Sequence, residues 1–215
     1  DLRTPLTALI GQLETIRLKG EALSDPARRE MLERALQNAQ HLRRLTEALA
    51  ELARLDNPDF KAQPEPIAIG ELADDVVQRF AASAQGAGVT LSVDYPDGLP
   101  LTRVDAALVE RALSNLLDNA LRVTPAGGRV TVKVRPEKAG VRVEVVDTGP
   151  GVLPEDQPKV FDRFFQTSRA RDQRGASGLG LAIVKRVAEL HGGQAGLRSE
   201  PGRGSTFFIE LPLSA

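Results

Sequence analysis

The chain contains 215 residues, of which 41% are hydrophobic and 27% charged, so it has the composition of an ordinary globular protein of one or two domains. A net charge of −1 argues against a nucleic-acid-binding surface or a polybasic membrane patch, and the absence of cysteine excludes disulfides and thiolate metal sites. No apolar run approaches the ~20 residues of a membrane helix, and no signal peptide is visible.

The first 55 residues carry two amphipathic helical patterns. In the first pattern, apolar residues recur alternately four and three positions apart, at Leu2, Leu6, Leu9, Leu13 and Ile16. Ser24 and Pro26 then predict the start of a second helix, which continues to about Leu55. Two antiparallel helices bury only one seam each, so we predict a homodimer in which two hairpins form a four-helix bundle. The alternative is a hairpin that packs on the globular part of its own chain.

The pattern changes after the second helix. Residues 57–65 are rich in proline and charge, which predicts a linker between a hairpin at 1–56 and a globular domain at 66–215. In that domain the predicted helices begin near 70, 105 and 178, and the predicted strands lie at 67–69, 89–93, 129–134, 141–146, 194–198 and 205–211. Helices alternate with strands, but hairpins recur. This order predicts an α+β chain whose second domain is an α/β sandwich with a mixed sheet and helices on one face.

A glycine-rich turn follows the strand at 141–146. It contains Asp147, Gly149 and Gly151 around a proline, and glycine lets a backbone come close to a ligand because no Cβ intervenes. An acid at the end of a strand can accept a hydrogen bond from an exocyclic amine such as that of adenine. Taken alone, such a turn is usually a plain connection.

A second pattern lies on the preceding helix. Asn115 and Asn119 are four residues apart and share one face, where their amide oxygens could hold Mg²⁺ without adding negative charge beside a triphosphate. Arg122 falls on the same side. Downstream, Gly178 and Gly180 open a helix whose N-terminal N–H groups could receive phosphate. An isolated asparagine pair would usually be plain helix-surface polarity.

Together these motifs resemble the N, G1, G2 and G3 boxes of the GHKL ATPases, whose nucleotide site is called the Bergerat fold. The four boxes correspond to residues 115–120, 147–151, 178–181 and 202–206, and residues 161–165 resemble the F box of sensor histidine kinases. The resemblance implies that Asn115 and Asn119 bind Mg²⁺. It also implies that ATP contacts Asn115, Asn119, Arg122, Asp147, Gly149, Gly151, Arg174, Gly178, Leu179, Gly180, Leu181 and Thr206. Thr206 would lie near the adenine, and residues 152–177 would form a lid in which Phe161, Phe164 and Phe165 pin one part to the core or hairpin.

The start of the chain, Asp1 to Leu6, resembles the H box of histidine kinases, and the phosphoacceptor histidine is expected just before Asp1. The resemblance implies that Asp1 orients that histidine and that Thr4 positions water for dephosphorylation, with Asn115 as a third catalytic residue. We expect the chain to be a fragment. His41 is predicted to lie on a solvated helix face and His191 to cap a helix C-terminus.

The resemblance implies a protein-histidine kinase that uses ATP and Mg²⁺ to phosphorylate its own histidine. It would pass the phosphoryl group to an aspartate of a response-regulator receiver domain and would also act as a phosphatase. We expect the cytoplasmic portion of a membrane-anchored protein, with no nucleic-acid or membrane contact in this fragment. Two alternatives remain open: a GHKL ATPase without histidine phosphorylation, and a non-catalytic dimeric scaffold that binds nucleotide.

Overall fold

The computed structural model describes residues 3–19, 24–166 and 177–213. Two helices open the chain, α1 (Arg3–Lys19) and α2 (Asp25–Asp56). The helices pack on each other, and Asn38 Nδ2 donates a hydrogen bond of 3.1 Å to Gln12 Oε1. Ser24 is the N-cap residue of α2 and proline lies in its first turn, as the sequence predicted. The predicted helical hairpin is therefore confirmed.

The remaining chain folds into a sheet covered by helices. Its elements are β1 (Glu65–Ile67), α3 (Ile69–Gly86), β2 (Thr90–Asp94), β3 (Thr102–Val104), α4 (Ala106–Val123), β4 (Arg129–Glu137), β5 (Gly140–Asp147), α5 (Gly180–Leu190), β6 (Gln194–Ser199) and β7 (Ser205–Pro212). The five-stranded sheet has the order β2-β4-β5-β7-β6. Only β2 and β4 pair in parallel within it, so the predicted mixed sheet is confirmed.

Two details of the strand prediction were wrong. The strand expected at 67–69 ends at Ile67, and Ile69 is instead the first residue of α3, where it is 1% exposed. The strand β3, which pairs with β1, was not predicted, because three residues are too few to show an alternation. The two strands form a separate antiparallel pair that precedes α4.

One hydrophobic core joins the helices to the sheet. Val141, Val143 and Val145 of β5 face it, alternating with polar residues that face outward. The end of α2 also enters this core, where Leu52 and Leu55 are buried. A buried leucine contributes roughly 1.5–3 kcal/mol, so these contacts hold the end of the hairpin firmly on the domain. Among the described residues, none of the helices combines the length and the apolar character that crossing a bilayer requires.

His191 holds two helices together at the end of α5. Its Nδ1 lies 2.8 Å from the Val187 carbonyl oxygen, which confirms the predicted capping contact. The ring is nevertheless buried. Its Nε2 accepts a 2.9 Å hydrogen bond from the backbone N–H of Asp105 at the start of α4. A backbone N–H can only donate, so the proton of the neutral ring resides on Nδ1.

Replacing His191 with alanine should lower the free energy of unfolding by about 2–4 kcal/mol, because it leaves a cavity and an unpaired N–H of Asp105. Urea denaturation followed by circular dichroism measures this loss. His41→Ala is the matched control. The His41 ring is half-buried in the hairpin, with an Nδ1 that has no partner among the described residues, so it is not the freely solvated histidine that we predicted. Equal losses in both variants would contradict the bridging role of His191.

Candidate nucleotide site

Asp147 ends β5 beneath the helical layer. Its Oδ1 accepts a 2.8 Å hydrogen bond from the Gly149 N–H, while its buried Oδ2 has no hydrogen-bond partner in the part of the chain that the structure describes. Burial raises the pKa of the Asp147 carboxyl, and the backbone N–H groups of Gly149 and Ser205 oppose this rise. A buried acceptor without a partner is suited to an incoming donor, such as an exocyclic amine.

The glycines after Asp147 are required by the fold itself. Gly151 has a φ of +72°, and a Cβ there would lie 2.3 Å from the Glu200 carbonyl oxygen. A Cβ at Gly204 would lie 2.0 Å from the carbonyl oxygen of Asp147. Both distances are too short for a side chain, so only glycine fits at either position. The turn at 147–151, called here the Asp147 turn, therefore packs backbone to backbone on the connection between β6 and β7. These glycines therefore hold Asp147 in position against the β6–β7 connection.

Two side chains that the sequence did not single out fasten this turn. Ser199 Oγ accepts a 2.8 Å hydrogen bond from the Val152 N–H and donates one of 2.9 Å to the Gly204 carbonyl. Gln157 Nε2 donates to the carbonyl oxygens of Val152 and Ser199, each at 3.1 Å. No sequence pattern pointed to either residue, because serine and glutamine are common on surfaces.

The register of β7 distinguishes Thr206 from its neighbour Ser205. Thr206 pairs with Val146, while Ser205 pairs with Asp147. Side chains alternate between the two faces of a strand, so Thr206 lies on the outer face and Ser205 shares the buried face of Asp147. Ser205 is 6% exposed and is the hydroxyl residue that the fold places beside Asp147. That Thr206 lies near the adenine stays a prediction.

The predicted metal and phosphate residues meet at the start of α5. A Cβ at Gly180 would lie 3.4 Å from Asn115 Oδ1, so the first turn of α5 faces the amide of Asn115 on α4. The Asn115 Nδ2 is buried and has no partner within residues 3–19, 24–166 and 177–213. The neighbouring Leu179 is fully buried, so only its backbone can face a ligand, and Leu181 packs against the core.

Arg122 and Asn119 lie together on the same helix. Arg122 Nη2 donates a 2.7 Å hydrogen bond to Asn119 Oδ1. The other terminal nitrogen, Nη1, is buried and finds no partner among the described residues. Burial lowers the pKa of Arg122, and the negative charge of Asp118 acts in the opposite direction. The site therefore contains an amide oxygen and a partly satisfied cation side by side.

The F-box part of the predicted lid contacts the segment just before α5. Gly178 has a φ of +67°, and its carbonyl accepts a 2.8 Å hydrogen bond from the Phe164 N–H. Phe161 packs edge-on against Phe207 with ring centroids 6.3 Å apart, and Phe165 also packs against the core. Phe164, by contrast, is 41% exposed, so two of the three phenylalanines pin the lid as predicted.

The lid is also tied to the hairpin. Arg163 Nη2 lies 2.6 Å from Asp56 Oδ2 at the end of α2. Arg186 of α5 lies 3.5 Å from the other oxygen of Asp56 and donates a 3.1 Å hydrogen bond to the Leu55 carbonyl. The last turn of α2 thus contacts both the F-box segment and the helix that begins at the site.

The remaining predicted residues are not all described. Thr4 lies in α1, but its side chain is outside the description, and Asp1 and Arg174 lie outside the described residues. Three pairs of predicted site residues that the structure describes lie close together: Asn115 with Gly180, Asn119 with Arg122, and Asp147 with Gly149. No group of three or more metal-ligating His, Cys, Asp or Glu side chains occurs in the described part of the chain.

Comparison with known families defines the class of protein. Residues 104–215 match the "Histidine kinase-, DNA gyrase B-, and HSP90-like ATPase" family, which is more than half of the chain, and the chain therefore belongs to that ATPase family. Residues 1–58 match the "His Kinase A (phospho-acceptor) domain". The two matches in this order identify the chain as a member of the two-component sensor histidine kinases.

Individual relatives agree with this assignment. Sensor protein DivL of Caulobacter vibrioides is 40% identical over 212 residues, which cover 99% of this chain and 27% of DivL. Sensor-like histidine kinase SenX3 of Mycobacterium tuberculosis is 35% identical over 213 residues, which cover 99% of this chain and 51% of SenX3. The solved structure of full-length ShkA in complex with AMPPNP has a TM-score of 0.76 and 29% identity, and the match covers 99% of this chain and 44% of ShkA. The chain thus spans about half or less of the length of these proteins.

Proposed function

We propose that the chain is the kinase core of a sensor histidine kinase, which transfers the γ-phosphoryl group of ATP to the histidine that the family carries at the start of its first hairpin helix. The observation that supports this most strongly is a set of three buried polar atoms without partners among the described residues: Asn115 Nδ2, Arg122 Nη1 and Asp147 Oδ2. Buried polar atoms are normally hydrogen-bonded. These three belong to residues assigned to different parts of one nucleotide.

Two of these three atoms, Asp147 Oδ2 and Arg122 Nη1, have a direct partner in such a ligand. Asp147 Oδ2 would accept a hydrogen bond from the adenine amine, and the first turn of α5 would offer backbone N–H groups to phosphate. Arg122 would contact phosphate as well. Asn115 and Asn119 would hold Mg²⁺ through their amide oxygens. When bound, the metal neutralises charge on the transferring phosphoryl group.

The hairpin would supply the acceptor side of the reaction. Asp1 would orient the acceptor histidine, and Thr4 would support the reverse phosphatase reaction. The hairpin presents a row of exposed apolar side chains, Leu6, Ile10, Leu13, Leu32 and Leu36. Pairing with a second copy as a four-helix bundle would bury them, so we propose a homodimer. A phosphohistidine is a reactive phosphoramidate, and a response-regulator aspartate would accept its phosphoryl group. Because ATP and response regulators are cytoplasmic, we propose that this portion of the protein lies in the cytoplasm. We also propose that the whole protein is anchored in a membrane.

Labelled ATP tests the proposal on the full-length protein. We expect label on the protein that is lost in acid, stable in base and transferable to a receiver domain, since phosphoramidates hydrolyse in acid. Release of labelled phosphate without any protein-bound label would indicate the ATPase alternative. Nucleotide binding with neither outcome would indicate a scaffold.

A further inference from the structure

Asn119 Oδ1 is both the proposed metal ligand and the acceptor of a hydrogen bond from Arg122. Arg122 Nη2 donates its hydrogen bond to Asn119 Oδ1 at 2.7 Å, a short and well-formed contact. The amide nitrogen of asparagine does not bind metals, so Oδ1 is the only ligand atom that Asn119 can offer. Asn115 differs, because its Oδ1 faces the first turn of α5 at Gly180.

A divalent cation and a guanidinium on one amide oxygen would lie within a few ångströms of each other. Repulsion between like charges is strong in a buried site, where water screens it poorly. The oxygen has two lone pairs, but this repulsion makes simultaneous occupation unfavourable unless anionic phosphate lies between the two cations. Metal binding at Asn119 therefore requires Arg122 to move or to gain an anionic partner.

Arg122 has a second donor available for such a partner. Its Nη1 is buried without a hydrogen-bond partner in the described part of the chain. The acidic group whose charge acts on Arg122 is Asp118, next to Asn119 on the same helix. Among the described residues, the guanidinium therefore donates to the neutral oxygen of Asn119, is attracted by the charge of Asp118 and retains an unsatisfied N–H. That N–H favours exchange toward a phosphate.

We infer that Arg122 and the metal are alternative cations at Asn119 Oδ1. When the metal–nucleotide complex binds, Arg122 leaves the amide oxygen and pairs with phosphate. When nucleotide binds without metal, Arg122 supplies the positive charge in its place, so the protein retains affinity for metal-free nucleotide. This inference rests on the proposed function, since it assumes that a magnesium nucleotide occupies the site.

The test is the metal dependence of nucleotide affinity, which does not require turnover. Dissociation constants for AMPPNP are measured by calorimetry in excess Mg²⁺ and in excess EDTA. Four proteins are compared: wild type, Arg122→Met, Arg122→Lys and Arg79→Met. Arg79 is a matched control, because it is an exposed arginine of α3 that pairs with Glu110 and not with a predicted site residue. Melting curves establish that each variant is folded.

The ratio of the Kd in EDTA to the Kd in Mg²⁺ should rise about tenfold or more in Arg122→Met. The metal-free complex loses its only compensating cation, whereas the metal complex loses a phosphate contact but no longer has to displace a guanidinium. Arg122→Lys should restore most of the wild-type ratio, and Arg79→Met should match wild type. An Arg122→Met protein with an unchanged ratio would overturn the inference, whether both constants rise equally or neither changes. If wild type bound AMPPNP in neither buffer, the proposed function itself would fail.

Discussion

Replacing Asn119 with alanine should raise the Kd for Mg·ATP by at least about 100-fold, or about 2.7 kcal/mol, and should abolish phosphorylation. The change removes an amide oxygen from the proposed metal site and deprives Arg122 of the hydrogen bond that Asn119 Oδ1 accepts. A partly buried guanidinium without that partner is poorly satisfied. The fold should survive, because the Asn119 side chain is not part of the hydrophobic core.

Calorimetry with Mg·AMPPNP measures the loss, and circular dichroism shows that the variant is folded. Asn57→Ala is the matched control, since it removes the same amide from the exposed cap of α2, where Oδ1 accepts a hydrogen bond from the Asp59 N–H. Its nucleotide affinity should equal that of wild type. An Asn119→Ala protein that retains wild-type affinity for Mg·AMPPNP would mean that the metal is held elsewhere.

The long elements of the fold could be predicted because their patterns extend over many residues. The hairpin and the strands at β4 and β5 show clear periodicity, and the structure confirms them. The short pair β1 and β3 could not be predicted in full, since three residues carry almost no periodic signal. Ile69 was assigned to a strand because it is apolar, but it starts a helix.

Within the site, contacts along one helix could be predicted from the sequence, whereas contacts between distant segments could not. Spacing on one helix places Asn119 beside Arg122, and the structure confirms that contact. Choosing between Ser205 and Thr206 requires the register of β7 against β5, which two adjacent hydroxyl residues do not reveal. The fastening of the Asp147 turn by Ser199 depends on contacts between segments 47 residues apart, which local patterns cannot show.

Asp147→Asn should weaken ATP binding by at least about 100-fold while leaving the nucleotide-free protein folded. The amide oxygen of asparagine can still accept the Gly149 N–H that Asp147 Oδ1 accepts. The amide NH₂ would then occupy the position of Oδ2 and face the adenine amine, so that two donors would oppose each other. Calorimetry with Mg·ATP measures the loss. Asp59→Asn, an exposed change of the same kind, is the control.

The same substitution should stabilise the nucleotide-free protein at neutral pH. Burial raises the pKa of Asp147, so folding disfavours its charged form. The cost is absent below the ordinary carboxyl pKa of about 3.9, grows as the pH rises through the window up to the raised pKa, and is constant above it. Asparagine carries no such cost. The melting temperature of Asp147→Asn minus that of wild type should therefore increase with pH across this window. A difference that shrinks as pH rises would mean that Asp147 is stabilised in its charged form, and that its role at the site is not that of a desolvated acceptor awaiting a donor.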